Sequence, residues 1–438
     1  MESEKSKISV YFSSFTVMHH LDRLASGLPV LTAQTDGTAS VTVLVFAGAG
    51  SRYETKKDTG IGHFLEHMFF KGGKKYRNTK EVSVAIDSIG GDFNAFTGKE
   101  YAGYYVKVAA EHADLACDVL SDMLKHATFP QEEIEKERGV IIEEARMYED
   151  TPMYRAGWDF ELLLYGDCPL GWDTIGTEEV IRSVTQKDFQ KHKDALYTPD
   201  NLVVTFGGRI DPAQAMKFSK QYFADIGGTK AQEFAAHTKF GEKRVWLRTK
   251  KTEQSHLVIG VPGVSSLHED HFAHKLLAII LGGNMSSRMF LNIREAKGLC
   301  YYIATETDSY MDAGSLSTRA GVDQSRLHEA ISLIMHEYAV CREKGIDEDE
   351  LMRAKEYLKG KITLSLEDSE ELAHFYGKQQ LLYPKVQSIA DYFAAINAVT
   401  KEQVDRLAVR LLTPEAMRLV VIGSETDESA LQKLLQAS

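Results

Sequence analysis

The chain is written twice, and that repeat limits its fold more than any other feature. Residues 40–52, SVTVLVFAGAGSR, form an apolar run ending in small residues, and residues 255–266, SHLVIGVPGVSS, do the same. Each reads as a strand leading into a helical pattern that closes on a glycine pair, GIGHFLEHMFFKGG first and HFAHKLLAIILGG second. Further on, FPQEEIEKERGVIIEEARM answers to IDEDELMRAKEYLKGKITL, and TQKDFQKHKDALYTPDNLVVTFGG to TKEQVDRLAVRLLTPEAMRLVVIGS. Gly72 and Gly282 lie 210 residues apart, and Thr185 and Thr400 lie 215 apart. Four ordered correspondences at similar offsets imply two versions of one strand–helix domain. The expected fold is α+β: two homologous halves, each a sheet packed against helices, residues 1–228 and 229–438, joined near residues 225–240.

The copies differ where chemistry would sit. With the glycine pairs aligned, His63, Glu66 and His67 stand opposite Ala273, Leu276 and Leu277. Residues four apart share a helix face, so His63 and His67 can point at one spot, with Glu66 displaced by a single residue. H-x-x-E-H is metal-ligand spacing, in the reverse of the commoner zinc-peptidase order. Two polar residues on a half-buried helix would leave the same letters. The second copy keeps the frame and drops these side chains, which favours the metal.

Two histidines leave a catalytic zinc short of a ligand, since three protein ligands and a water are the usual set. Candidates crowd EEIEKERGVIIEEARMYED, where Ile134, Ile141, Ala145 and Tyr148 recur at helical spacing. Glu137 and Glu144 are seven apart and share a face, while Glu143 lies about 100° away. Glu132, Glu133 and Glu135 read as a solvated face. Periodicity does not separate Glu143 from Glu144, and the repeat helps only weakly by placing Glu144 opposite Lys361.

Composition narrows the alternatives. Cys117, Cys168, Cys300 and Cys341 form no C-x-x-C pair, so they read as reduced structural thiols and any metal must rely on histidine and carboxylate. A net charge of -12, with no basic block beyond GGKKYR, argues against a nucleic-acid partner. No apolar run approaches the roughly 18 residues needed to span a bilayer. MESEKSKISVYF shows no apolar signal core, so a cytoplasmic protein is expected.

H-F-L-E-H, followed 77 residues beyond His67 by the final glutamate of E-R-x-x-x-x-x-E, resembles the inverted zinc peptidases of the pitrilysin and insulinase family. The shorter members are most similar, those like the mitochondrial processing peptidase beta subunit and its bacterial homologues. GGDFNAFTGKEY (90–101), PLG (169–171) and LGGNMSSRMF (281–290) extend the resemblance over nearly the whole chain. It implies one zinc per chain held by His63, His67 and Glu144, which decides between the two glutamates. It implies that Glu66 is the general base and that Glu137 orients a ligating histidine.

The resemblance also implies that Arg294 and Tyr301, in R-E-A-K-G-L-C-Y, reach substrate near the metal, Arg forking onto a carbonyl and Tyr donating to an oxyanion. DFNAFTGKEYAGYYVKV alternates as a strand, and the family uses such an edge strand to hold extended peptide, with Asn94 and Ala95 as contact points. The G-A-G of residues 48–50 lacks a third glycine and reads as a strand-end turn, not a phosphate loop. His19, His20, His268 and His274 have no partner at ligand spacing and read as structural or solvated. The expected function is that of a zinc metalloendopeptidase acting on unfolded peptides or presequence-like segments inside an enclosed chamber, the clamshell of a homodimer. The alternative is a non-catalytic binding or scaffold subunit of the same fold, against which the intact ligand set counts.

Overall fold

The structure, a computed structural model, describes residues 17–436. Strands β1 (Met18–Arg23), β2 (Pro29–Gln34) and β3 (Ser40–Ala47) lead into helices α1 (Ile61–Phe69) and α2 (Thr79–Asp87). Strands β4 (Asp92–Thr97) and β5 (Ala102–Ala109) follow, then helices α3 (Ala113–His126), α4 (Gln131–Asp150) and α5 (Pro152–Tyr165). Next come α6 (Glu178–Ser183), α7 (Gln186–Leu196), β6 (Leu202–Gly208) and α8 (Pro212–Tyr222). The second half opens with β7 (Val245–Thr249), β8 (Gln254–Pro262), α9 (His271–Gly282), β9 (Cys300–Ser309) and β10 (Gly314–Asp323). It continues through α10 (Leu327–Lys344), α11 (Glu348–Ser365), α12 (Ser369–Leu382) and α13 (Ile389–Ala398). It ends with α14 (Lys401–Leu411), β11 (Arg418–Gly423) and α15 (Glu428–Leu434).

The sequence repeat is a repeat of sheet topology. One sheet runs β1-β2-β6-β3-β5-β4 and the other β7-β11-β8-β10-β9, so the second reproduces the first without its outermost strand. In each, one neighbouring pair is parallel (β2 with β6, β7 with β11) and the rest are antiparallel. The copies share a helix start as well: Thr185 and Asp188 close a capping box on α7, and Thr400 and Gln403 close one on α14. Each box satisfies two backbone donors that the first helical turn leaves open.

The single strand expected over residues 92–108 is two. The chain reverses at Gly98, whose N–H donates to the Tyr101 carbonyl at 2.9 Å, and β5 returns beside β4. Alternation persists through a short tight turn, which is why period-two reading alone runs the strands together. The reversal leaves β4 at the sheet edge.

The chain divides into two compact units, one of residues up to 142 with 174–234 and 362–391, the other of 143–173, 235–361 and 392–438. Neither is one continuous stretch, because each takes a covering helix from elsewhere in the sequence. In the first, α12 and the preceding Leu366 pack on the sheet, burying Leu372, Ala373 and Tyr376 against Leu31, Leu44, Phe46 and Val203. Burying a side chain the size of leucine or phenylalanine contributes ~1.5–3 kcal/mol relative to exposure. Bare backbone permits the approach: a Cβ on Gly207 would stand 2.4 Å from the Ser369 carbonyl oxygen. In the second unit α5 does the same work, setting Ala156, Phe160, Leu163 and Leu164 against Val258, Val420 and Ile422. Its buried Asp159 is held by Arg155 at 2.6 Å and Arg248 at 2.9 Å. A buried carboxylate needs such partners to offset its lost hydration. No helix among the described residues is long and apolar enough to cross a membrane.

Candidate metal centre

Helix α1 carries the H-F-L-E-H run, and the sequence before it fixes where the helix starts. Gly60 caps it in the left-handed region at φ 90°, and a Cβ there would meet the Ile175 carbonyl oxygen at 2.4 Å. Only glycine fits both demands. Gly60 has no side chain to cap the exposed N–H groups, and buried Glu54 supplies the acceptor instead. Its two oxygens take the Gly60 N–H at 2.7 Å and the Gly62 N–H at 2.9 Å. Burial pushes the Glu54 carboxyl up to about 8, against the pull of those two donors.

The apolar face of α1 (Ile61, Phe64, Leu65, Met68, Phe69) is buried. Phe64 meets Phe189 edge-on at 4.9 Å, and Phe69 meets Tyr104 at 5.1 Å. Locking that face leaves His63, Glu66 and His67 together on the partly exposed one, the two imidazoles 4.8 Å apart between centroids. The equivalent side chains of α9, Ala273, Leu276 and Leu277, are all buried, so there the same face serves packing alone.

Helix α4 brings the glutamates. Its Arg138 is buried and donates to the carbonyls of Ile181 and Val184 at the end of α6, which anchors the helix. Glu137, beside it, accepts from Nδ1 of His67 at 2.9 Å and pairs with Lys71 at 2.6 Å. Burial works to raise the pKa of Glu137, but the His67 and Lys71 hydrogen bonds outweigh it and hold the carboxyl below its usual range. An ionised Glu137 favours the His67 proton on Nδ1, which makes Nε2 the ring nitrogen able to bind a metal. His63, pushed down to about 3 by burial and then by His67, stays neutral near pH 7, the form a metal requires.

His63, His67 and Glu144 each offer one ligand atom, all within 4.8 Å of one another. Glu143 is exposed and pairs with Arg146 at 2.5 Å, one turn along the same helix. The structure thus distinguishes two neighbours that periodicity does not. Glu132 and Glu135 are exposed and Glu133 pairs with Lys136 at 2.6 Å, a solvated face. Two imidazoles and a carboxylate are a donor set that suits zinc, and the four cysteines are free thiols away from it. Glu66 takes a hydrogen bond from Thr97 Oγ1 at 2.5 Å.

The other singled-out residues fall as follows. Asn94 and Ala95 lie on edge strand β4, paired with Tyr105 and Tyr104, and Asn94 is exposed. Arg294 lies in a π-helical turn of the second unit, Phe290–Glu295. Its Nε donates to the Tyr301 carbonyl at 3.0 Å, and its guanidinium sits 4.5 Å above the Phe290 ring. Tyr301 is the second residue of β9, an edge strand of its sheet, with its side chain standing out at 79% exposure. His274 is fully buried, His19 stacks on Tyr376, His20 pairs with Asp22, and His268 lies 3.7 Å from Asp270. Sequence reasoning did not reach Glu54, Lys71 or Thr97. Thr97 sits inside the quoted GGDFNAFTGKEY, but no spacing rule ties it to Glu66.

Known proteins share this frame. Residues 29–158 fit the sequence profile of the insulinase family, peptidase family M16, and residues 183–358 that of the peptidase M16 inactive domain. The Bacillus subtilis (strain 168) protein named uncharacterized zinc protease YmxG is 37% identical over 393 residues, covering 89% of this chain and 95% of its own length. Its Streptomyces coelicolor counterpart, uncharacterized zinc protease SCO5738, is 35% identical over 414 residues, 93% of this chain and 90% of that one. Among solved structures, a Helicobacter pylori protease superposes with a TM-score of 0.85 at 21% identity, over 93% of this chain and 99% of that one. A peptidase M16 inactive-domain structure from Pseudomonas fluorescens gives 0.86 at 18% identity, over 93% and 98%. These last two speak to the fold. With relatives above 30% identity over about nine-tenths of both chains and two family profiles matched in succession, the chain belongs to peptidase family M16, the insulinase family.

Proposed function

We propose that this chain is a zinc-dependent metalloendopeptidase. One observation carries the reading: His63, His67 and Glu144 gather ligand atoms within 4.8 Å while Glu66 sits on the same face of the same helix. The chemistry that zinc supplies when bound is polarisation of a carbonyl and acidification of water. Glu66 takes a proton from the attacking water and returns it to the leaving amine. Glu137 keeps His67 in the tautomer and orientation of a ligand. Edge strand β4 pairs with an extended peptide around Asn94 and Ala95, which reads backbone shape more than side chains. Arg294 grips a substrate carbonyl, and the Tyr301 hydroxyl donates to the developing oxyanion.

The substrates are unfolded peptides or presequence-like segments, since edge pairing demands extended chain, and they are cut within the chamber of a homodimer in the cytoplasm. The test is to load the purified chain with zinc, expose it to a random peptide library and read cleavage sites by mass spectrometry. Cleavage that chelation removes and zinc restores is expected, at about one zinc per chain. A chain that holds zinc and cuts nothing would support a non-catalytic binding subunit instead.

A further inference from the structure

We infer that Thr97 is a positioning residue for Glu66, tying the general base to the strand proposed to hold the peptide. The inference rests on the proposed role of Glu66. Thr97 is the last residue of β4, and its hydroxyl donates to Glu66 Oε2 at 2.5 Å, within the range of a charge-assisted hydrogen bond to a carboxylate. The Thr97 methyl lies 3.8 Å from where a Cβ on Gly62 would stand, and the hydroxyl reaches Glu66 one turn further on.

The chain around Thr97 is well anchored. The turn that follows is pinned by Ser51 N–H donating to the Gly98 carbonyl at 3.0 Å and Arg52 N–H to that of Lys99 at 2.8 Å. Beneath it, Arg52 and Glu100 form a buried ion pair at 2.7 Å. The fold does not demand the Thr97–Glu66 bond. Where the first sheet has the ladder Ala47–Ala102–Thr97, the second has Pro262–Ser315–Asp308, and the helix residue answering to Glu66 is Leu276, which accepts no hydrogen bond. The bond therefore exists only in the copy that carries the ligands. A peptide lying along β4 is read by a strand whose final residue aims the base, so binding register and base orientation share one element.

The test compares Thr97→Val, which keeps the shape and loses the hydroxyl, with Thr97→Ser, which keeps the hydroxyl. In the zinc-loaded full chain, Thr97→Val should lower kcat roughly 10- to 100-fold, the usual worth of a hydrogen bond to a charged group. KM, zinc content and thermal midpoint should stay at wild-type values, and Thr97→Ser should recover most of the rate. A Thr97→Val chain with wild-type kcat, or one whose loss tracks lost zinc or stability and which Ser does not rescue, overturns the inference. Crystal structures of the zinc-loaded wild type and Thr97→Val give a readout independent of turnover: the Glu66 carboxylate should be rotated or split between rotamers in the variant. If the wild type cuts no peptide, the proposed function fails and these structures decide on Thr97 alone, an unmoved Glu66 sinking it.

Discussion

At the scale of single residues, two adjacent glutamates have opposite fates. Glu144 joins the histidines, while Glu143 is exposed with Arg146, so Glu144→Gln and His63→Ala should empty the site and Glu143→Gln should leave zinc content unchanged. Glu66→Gln keeps its size but cannot take a proton. It should retain zinc, measured by atomic emission, while losing on the order of 10²-fold or more in rate. His274 invites a different measurement. It occupies the place in α9 that Phe64 holds in α1, is fully buried, and among the described residues neither ring nitrogen has a hydrogen-bond partner. Burial, then the charges of Lys275, Arg410 and His268, hold it down to about 3. The unfolded chain takes up this proton below about pH 6.5 while the folded one does not, so stability is full above that pH and falls as acid is added. Between pH 6.5 and 3 the loss is roughly 3–5 kcal/mol from this residue. Urea midpoints of His274→Leu should therefore fall less steeply with acid than those of wild type; parallel curves would refute the assignment.

At the scale of elements, α1 depends on the residues before it as much as on its own. Its first turn is set by the Gly60 backbone and by the Glu54 carboxyl group, and its frame sets the direction of His63. Gly60→Ala adds a methyl 2.4 Å from the Ile175 carbonyl oxygen in a left-handed conformation. The expected cost is about 2–4 kcal/mol, from strain plus overlap. A lowered unfolding midpoint together with weakened zinc binding should follow, and a variant as stable as wild type would show that the start of α1 is softer than its geometry implies.

At the scale of the whole molecule, the first sheet is completed by residues 362–391, far from it in sequence. Residues 1–234 expressed alone lack α12 and leave Leu31, Leu44, Phe46 and Val203 uncovered. A sheet face that apolar is an association surface. That fragment should elute as aggregate and bind a hydrophobic dye, and a monomeric fragment with native near-UV dichroism would contradict the account of the core. If the second half contributes to the proposed reaction, Arg294→Ala and Tyr301→Phe should lower kcat/KM with zinc content intact, Tyr301→Phe mainly through kcat. Wild-type turnover in both would remove them from the mechanism.

The sequence by itself determined the duplicated strand–helix plan, the H-x-x-E-H helix and the contrast between the two copies. These are local patterns or long internal matches, and both survive in a linear string. The motif resemblance chose Glu144 where periodicity alone was silent, and the structure finds it with the histidines. Only the tertiary structure decided the rest. The hairpin at Gly98 was hidden because alternation runs through it, and Thr97 reaches Glu66 across 31 residues that carry no shared period. Glu54 acts as a distant cap because Gly60 has no side chain of its own to do so. The placement of α5 and α12 was hidden for a larger reason: an apolar helix face specifies that it must be covered, not which sheet covers it, and that choice is made by shape when Gly207 and Gly377 let α12 settle on β3 and β6.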